Sequence, residues 1–493
     1  MQINCDVLVV GSGSSGLINA ILLAEKGLKV IVATKDAVTE SSSIYAQGGI
    51  AVPLANSKSI ESHIQDTLKV GKGEAKEEVV KHYISKISNC IETLSIWGVP
   101  FIGYKDGIID QDLLTHEAAH SSRRVLKVGS DLSGRSLMKA LLEKACRLQN
   151  LSISQGTTLL ELSSHQEKCT GGSFQDINNN IFQITAKATV LATGGLGAIF
   201  QKTTNPWVSS GDGIAAANKI GAEIENLRYI QFHPTALEHP SHFLLSESLR
   251  GEGAHLLNKK GERFMQKYEP KELELAQRSV VSYAVWKEIQ ETGAVYLDAR
   301  HLGNNFLKER FQGIYNKCYE LGFDLTSEII PITPAAHYSI GGLKVNLQSQ
   351  TNINNLYAVG EVACTGMHGA DRLASNSLLE CIVSAFSAAD SIINSTDANE
   401  KSLQNELNLE PLVSDDFEVN INLLEAELIK LKEMMWLYAA FDIKEEGLKT
   451  VLEFAAKLKE KLPQCLTHSP QVNLAKHQVS ASILVLQDKL AHI

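Results

Sequence analysis

At 493 residues, with 44% hydrophobic and 21% charged side chains, the chain is long enough for two or three domains with well-buried cores. A formal net charge of −10 argues against nucleic acid as a partner, although an acidic protein can still hold a local basic pocket. The eight cysteines, at 5, 90, 146, 169, 318, 364, 381 and 465, form no C-x-x-C pair. Neither a zinc site nor a dithiol motif is therefore indicated, no metal is expected, and the thiols read as reduced groups of a cytoplasmic protein.

The chain runs from Met1 almost directly into an apolar strand, with no basic region or cleavage site, so no signal peptide is expected. Apolar runs such as 20–24 fall far short of a membrane span. Residues 7–10 (VLVV) read as a strand buried on both faces of a parallel sheet, followed by GSGSSG, a helix over 17–26 and a second strand over 29–33. Residues 59–97 and 137–147 are predicted helical. A β-meander is predicted over 151–188 with a polar turn at 175–180, closing on the strand end ATVLATGG at 188–195. Residues 227–338 change character to short strands, charged helices and HP, GEG and KKG turns, the pattern of an inserted α+β unit. Past 395 the chain turns charged and helical, with amphipathic stretches at 422–441 and 444–461. The division is 1–226 with 339–399, then 227–338, then 400–493. The expected fold class is α/β, a Rossmann-like domain with an inserted α+β capping domain and a C-terminal helical domain.

The Gly11-Ser12-Gly13-Ser14-Ser15-Gly16 turn is the first chemical signal. Its glycines permit a tight strand-to-helix turn, close approach of a pyrophosphate, and helix–strand packing. The phosphates would meet the free N–H groups of the helix N-terminus. An acidic ribose ligand is expected about 20 residues on, yet the chain offers Ala33-Thr34-Lys35 there. ATGG at 192–195 and LYAVGE at 356–361 could each merely end a buried strand. In this order the three pieces read as the strand ends of a flavin-binding domain.

The segments SSSIYAQGGIAV, HSSRRVL, TTNPWVSSGDGIAAA, QFHPTAL, LLSESLRGEGA, PAAHYSIGGL, LYAVGEV and HGADRLASNSLLEC resemble the succinate dehydrogenase and fumarate reductase flavoprotein family, in its aspartate-oxidising branch. The resemblance is almost continuous from residue 3 to about 395 and looser to about 450. It implies FAD held by Ser12 to Ser15, Lys35, Ser42, Ser43, Ile44, Tyr45, Ala46, Gln47, Gly48, Gly49, Asp212, Glu361, Ser377 and Leu378. Glu361 at a strand end suits ribityl hydroxyls, and the helix starting near Ser377 points its positive end at the flavin. Membrane-complex relatives attach FAD through a histidine where this chain has Ser42, so FAD is expected to be non-covalent.

A dicarboxylate needs cationic and hydrogen-bonding groups at both ends, because an unpaired buried carboxylate is costly. The candidates are His233, Ser246, Glu247, Arg250, Arg278, His337 and Arg372, with arginine suited to bidentate carboxylate recognition. By resemblance, Arg278 is the proton-transfer residue. It stands in ELAQRSVV where the family has ELAPRD, so Gln277 and Ser279 are departures. An arginine is a poor base in water and needs a partner carboxylate. Glu117 matches the acidic residue that favours an amino-dicarboxylate; the plainer alternative is a surface glutamate near Arg123 and Arg124. In the helical region Met435 and Trp436 keep the family's MW-x-x-x-G-I-V-R pattern, while Ala440 and Ile443 replace its glycine and arginine, so this region either packs differently or contacts the others more weakly.

The activity implied is oxidation of L-aspartate to iminosuccinate, with O₂ (giving hydrogen peroxide) or fumarate as electron acceptor. It would be the first step of de novo NAD biosynthesis, with quinolinate synthase as a metabolic partner. The rival readings are a fumarate reductase or succinate-oxidising flavoprotein, and a non-catalytic FAD-binding relative.

Overall fold

A computed structural model describes residues 2–129, 132–396 and 419–493. Its first strand, Gln2–Val10, mixes polar and apolar residues as far as Asp6 and is then wholly apolar; Val7, Leu8 and Val9 are fully buried. It lies at the centre of a seven-stranded sheet. Val30–Ala33 and then Leu151–Ser154 add on one side in parallel, and Ile181–Leu191 adds on the other, with Val10 opposite Leu191. The eleven-residue strand Ile181–Leu191 is shared. Its first half pairs antiparallel with Lys168–Gln175, and its last residues pair in parallel with Leu356–Ala358. The returning segment thus places Gly360 and Glu361 beside the strand end at 192–195.

Leu151–Ser154 corrects the expected meander. It sits on the far parallel edge against Val30–Ala33, where Leu151 and Ile153 pack beside the helix side chain Leu22, and only Thr158–His165, Lys168–Gln175 and Ile181–Leu191 meander. The helical run at 59–97 is likewise two helices, Ser57–Val70 and Glu77–Ile96. The break falls at Lys72 (φ 55°) and Gly73 (φ 82°), a left-handed pair that cannot continue a helix. Asn56 caps the first helix, its side chain accepting from the Ser59 N–H at 2.8 Å.

Ile230–Leu237 opens the inserted segment and Ile330–Ser339 closes it. The two pair antiparallel from Ile230 opposite Ser339, and Val295–Asp298 and His255–Asn258 complete a four-stranded sheet. Entry and exit therefore leave the main body side by side. Helix Arg278–Thr292 packs on this sheet.

The C-terminal helices are Ile421–Ala439, Glu445–Glu460 and Pro470–Leu490; residues 400–418 of the expected helical region, and its boundary at 399, lie outside the described residues. The third helix escaped the sequence reading because its buried face carries Asn473, His477, Gln478 and Lys489 among the apolar side chains, which blurs the stripe. The region is not loosely attached. Phe441 stacks on Trp286 (5.5 Å between centroids, 19°) and meets Phe232 at 4.7 Å, while Trp436 meets Phe232 edge-on at 5.9 Å. An aromatic cluster therefore joins these helices to the two elements that carry His233 and Arg278. Among the described helices, Asn376–Ser395 is long and apolar enough to cross a membrane, but two thirds of it is buried in the core against Ser14–Glu25 and Glu77–Ile96.

Candidate active site

The strand end after Val10 opens into a cleft of about 740 Å³, lined among others by Gly11, Ser12, Gly13, Ser15, Thr34, Lys35, Ser42, Ser43, Asp212 and Glu361. Gly11 has φ 109°, and a Cβ there would lie 2.2 Å from the Ala192 carbonyl oxygen, so the turn tolerates only glycine. A Cβ on Gly16 would lie 2.1 Å from the Gly11 oxygen, which is the close helix–strand approach the motif implies. The position of the absent acidic residue is filled differently. Ser12 Oγ donates to Thr34 Oγ1 at 2.9 Å, and half-buried Lys35 reaches Asp212 at 3.0 Å and Ser210 Oγ at 2.7 Å. At the far end burial pushes the Glu361 carboxyl up to about 7, and its Oε1 accepts from the Ser339 N–H at 2.8 Å. A helix N-terminus, a glycine cradle, a cationic side chain and a carboxyl at the opposite end fit the diphosphate and polyol of FAD.

The rest of the 42–49 segment is not part of that cleft. Tyr45 is 44% exposed and its hydroxyl turns to Glu40 at 2.9 Å. Ile44 and Ala46 pack into the neighbouring hydrophobic cluster, and Gln47 Nε2 donates to the Leu244 carbonyl at 2.8 Å. Gly49 is pressed against the Leu126 carbonyl, and Gly48 lies where a Cβ would meet Glu117 Oε1 at 2.8 Å. Ser377 and Leu378 sit in the first turn of the helix beginning at Asn376.

Where the inserted sheet meets the body, the structure brings His233, Glu247, Arg250, Arg278, His337 and Arg372 together. Gln231 Oε1 accepts from Arg278 at 2.9 Å and from Arg372 at 3.0 Å. Arg278 Nε donates to Glu247 Oε2 at 2.6 Å, and Arg250 lies 3.6 Å from the same oxygen. Arg278 therefore does have a carboxylate partner, supplied by Glu247 on another helix and not by the position after it, where Ser279 stands. Burial works to raise the Glu247 pKa, and the Arg278 and Arg250 charges outweigh it, holding the carboxyl below its ordinary value. Burial, reinforced by Arg278, brings Arg372 down to about 10; its guanidinium lies over the Tyr338 ring at 4.3 Å and its Nε is buried without a partner.

The two histidines meet edge-on with ring centroids 5.1 Å apart. The Thr235 N–H donates to His233 Nδ1 at 3.3 Å, so that nitrogen is the acceptor and the ring proton sits on Nε2. Burial, then the charge of Arg278, holds both imidazoles well below their ordinary pKa. They are neutral hydrogen-bonding groups, and the positive charge of the site comes from the arginines. His337 Nδ1 is tied to Thr204 Oγ1 at 2.9 Å. Ser246 is spent otherwise: its hydroxyl caps the helix Glu247–Gly251, accepting from the Ser248 N–H at 3.3 Å.

Glu117 is 5% exposed, which overturns the surface alternative. It accepts from Ser375 Oγ at 2.7 Å, and Ser375 holds a left-handed backbone at φ 60°, local strain kept to aim that hydroxyl. Burial and the nearby Glu247 carboxylate raise the Glu117 pKa. Of the two arginines near it in sequence, Arg124 is fully buried on Asp66 at 2.5 Å and Arg123 is at the surface. Gln231, Thr235 and Ser375 were not singled out in the sequence. A signal existed: Gln231 and Thr235 flank His233 at the two-residue spacing of one strand face.

The FAD binding domain family matches residues 6–378 of the chain. The chain is 44% identical over 402 residues to the L-aspartate oxidase of Vibrio cholerae, covering 79% of this chain and 75% of that one. It is 42% identical over 401 residues to that of Yersinia pestis, with the same coverage. In structure it resembles a mutant quinol fumarate reductase of E. coli, with a TM-score of 0.89, 26% identity, and 100% and 90% of the two chains covered. Fold, cleft and family match define an FAD-dependent oxidoreductase built on the fumarate reductase flavoprotein fold. Within that class the chain belongs to the L-aspartate oxidase family.

Proposed function

We propose that the site oxidises L-aspartate to iminosuccinate, and that the observation carrying the choice of substrate is a buried Glu117 beside a cluster of arginines. Succinate and fumarate offer this carboxylate nothing but repulsion, whereas the α-ammonium of aspartate pairs with it. Arg372 and the Nε2–H of His233, together with His337, hold the substrate carboxylates. One proton must leave the α-ammonium for the hydride to depart from Cα; Arg278 assists that departure, and Glu247, 2.6 Å away and held ionised by its lowered pKa, keeps Arg278 oriented. FAD, held non-covalently by the 11–16 turn, Lys35, Asp212 and Glu361, supplies the hydride acceptor when bound. The cycle closes with O₂, giving hydrogen peroxide, or with fumarate, giving succinate.

The division of labour follows the chain. Residues 1–226 with 339–399 form the cofactor domain, 227–338 the capping domain and 400–493 a helical domain, supported by the side-by-side entry and exit strands at Ile230 and Ser339. The product feeds quinolinate synthase in NAD biosynthesis, in the cytoplasm.

Replacing Glu117 by glutamine tests the substrate assignment. A hydrogen bond between charged groups contributes about 1.5–3 kcal/mol, so KM for L-aspartate is expected to rise about 10–100-fold, while fumarate reduction is unimpaired or faster because the repelling charge is gone. In the wild type the same KM should climb as pH falls through the raised Glu117 pKa, and so at a higher pH than an ordinary carboxylate would give. The glutamine variant should lack that limb. An unchanged aspartate KM and pH profile in E117Q would move the ammonium-binding role elsewhere.

A further inference from the structure

Two guanidiniums that must grip one dicarboxylate repel each other, so their spacing has to be enforced from behind. Here Gln231, itself buried, is the tie. Its Oε1 receives Arg278 at 2.9 Å and Arg372 at 3.0 Å, which fills both lone pairs. Its Nε2 then needs two acceptors and has them, the Arg372 carbonyl at 2.9 Å and Asp371 Oδ1 at 2.6 Å. A flipped amide would set its NH₂ against two cationic donors and its oxygen against a carboxylate and a carbonyl. Of the two acceptors behind Gln231, Asp371 is the charged one. It is 3% exposed, and the same Oδ1 accepts from the Arg372 N–H at 3.0 Å.

Asp371 Oδ2 is buried without a hydrogen-bond partner and is faced by Lys72 Nζ at 4.0 Å. Lys72 also donates to Ser279 Oγ at 3.0 Å, the residue after Arg278. One lysine, held in a left-handed turn at φ 55°, therefore touches the chain beside both arginines. Asp371 bears on the arginine side chains through the Gln231 amide and, more weakly, through the Arg372 backbone N–H.

We propose that Asp371 is a positioning residue for the oxidation, locking the Gln231 amide so that its carbonyl fixes the Arg278–Arg372 spacing that selects a dicarboxylate. This rests on the reading of those two arginines as the substrate clamp. The test measures the Kd of malonate, a dicarboxylate that cannot be oxidised at this site, by perturbation of the flavin spectrum of the holoenzyme, and KM and kcat for L-aspartate. Asp371→Ala, which removes the acceptor, is expected to weaken malonate at least about tenfold and to raise KM more than it lowers kcat. Asp371→Asn, which keeps an acceptor oxygen, should recover most of that loss. Because Asp371 acts mainly through Gln231, the double variant Gln231→Leu with Asp371→Ala should lose clearly less malonate affinity than the product of the two single losses. Unchanged malonate binding in Asp371→Ala, no recovery in Asp371→Asn, or losses that multiply in the double variant would each overturn the proposal. A wild-type protein that reduces its flavin with L-aspartate but ignores malonate would instead count against the clamp reading itself.

Discussion

Replacing Arg278 with leucine is expected to slow flavin reduction by L-aspartate about 10²–10⁴-fold, the range that a positioned proton-transfer group contributes. The variant loses the side chain that bridges Glu247, through the 2.6 Å contact, and Gln231 at 2.9 Å. The loss should fall mainly on kcat, because Arg372 and the histidines remain to hold the carboxylates. A second consequence separates this variant from a simple loss of charge. Glu247 is buried, and with Arg278 gone the largest charge opposing the burial that raises its pKa is lost, leaving Arg250 at 3.6 Å and the Ala118 N–H at 3.1 Å. Its pKa should therefore rise, and residual activity should show a new dependence on pH. Stopped-flow mixing with saturating L-aspartate reads the rate directly; a wild-type rate would remove Arg278 from the proton path.

Arg372→Leu should act on binding. Truncating one partner of a buried, hydrogen-bonded charge pair costs about 2–5 kcal/mol, which corresponds to roughly 30- to several-thousand-fold weaker dicarboxylate binding. Three observations place the effect there and not on the cofactor. Arg372 shares the Gln231 oxygen with Arg278, its guanidinium rests over Tyr338 at 4.3 Å, and its buried Nε lacks an internal partner. Tyr338 is in turn anchored on Glu380 at 2.5 Å, so the arginine sits on a rigid support. FAD content of the purified variant should be normal while KM for L-aspartate rises steeply. Normal aspartate affinity in this variant would show that another group carries the carboxylate.

Much of this site was legible before any coordinates. Glycines that end buried strands carry a residue-type signature that survives without tertiary structure, whereas Arg278, Arg372, His337 and Glu117 stood out only through the resemblance of their motifs to the family. What stayed hidden was partnership. The sequence suggested that Arg278 had lost its carboxylate at Ser279, and only the fold reveals that Glu247 serves instead, because a helix 31 residues away in sequence returns to the same point. The burial of Glu117 depends on Ser375, 258 residues away, and could not be read from local pattern. The strand at Leu151–Ser154 was assigned to the wrong side of the sheet because short alternating strands carry no record of whom they pair with. The losses at Ala440 and Ile443 pointed to a looser helical region, whereas Phe441 between them supplies an aromatic contact whose partners, Phe232 and Trp286, are invisible in one dimension.

The most direct measurement is an anaerobic titration of the purified yellow protein with L-aspartate, D-aspartate and succinate, following flavin absorbance. A carboxylate clamp combined with the buried Glu117 requires that L-aspartate bleach the flavin stoichiometrically while succinate and D-aspartate leave it oxidised. Bleaching by succinate at a comparable rate, or none by L-aspartate, would contradict the assignment of this site to aspartate oxidation.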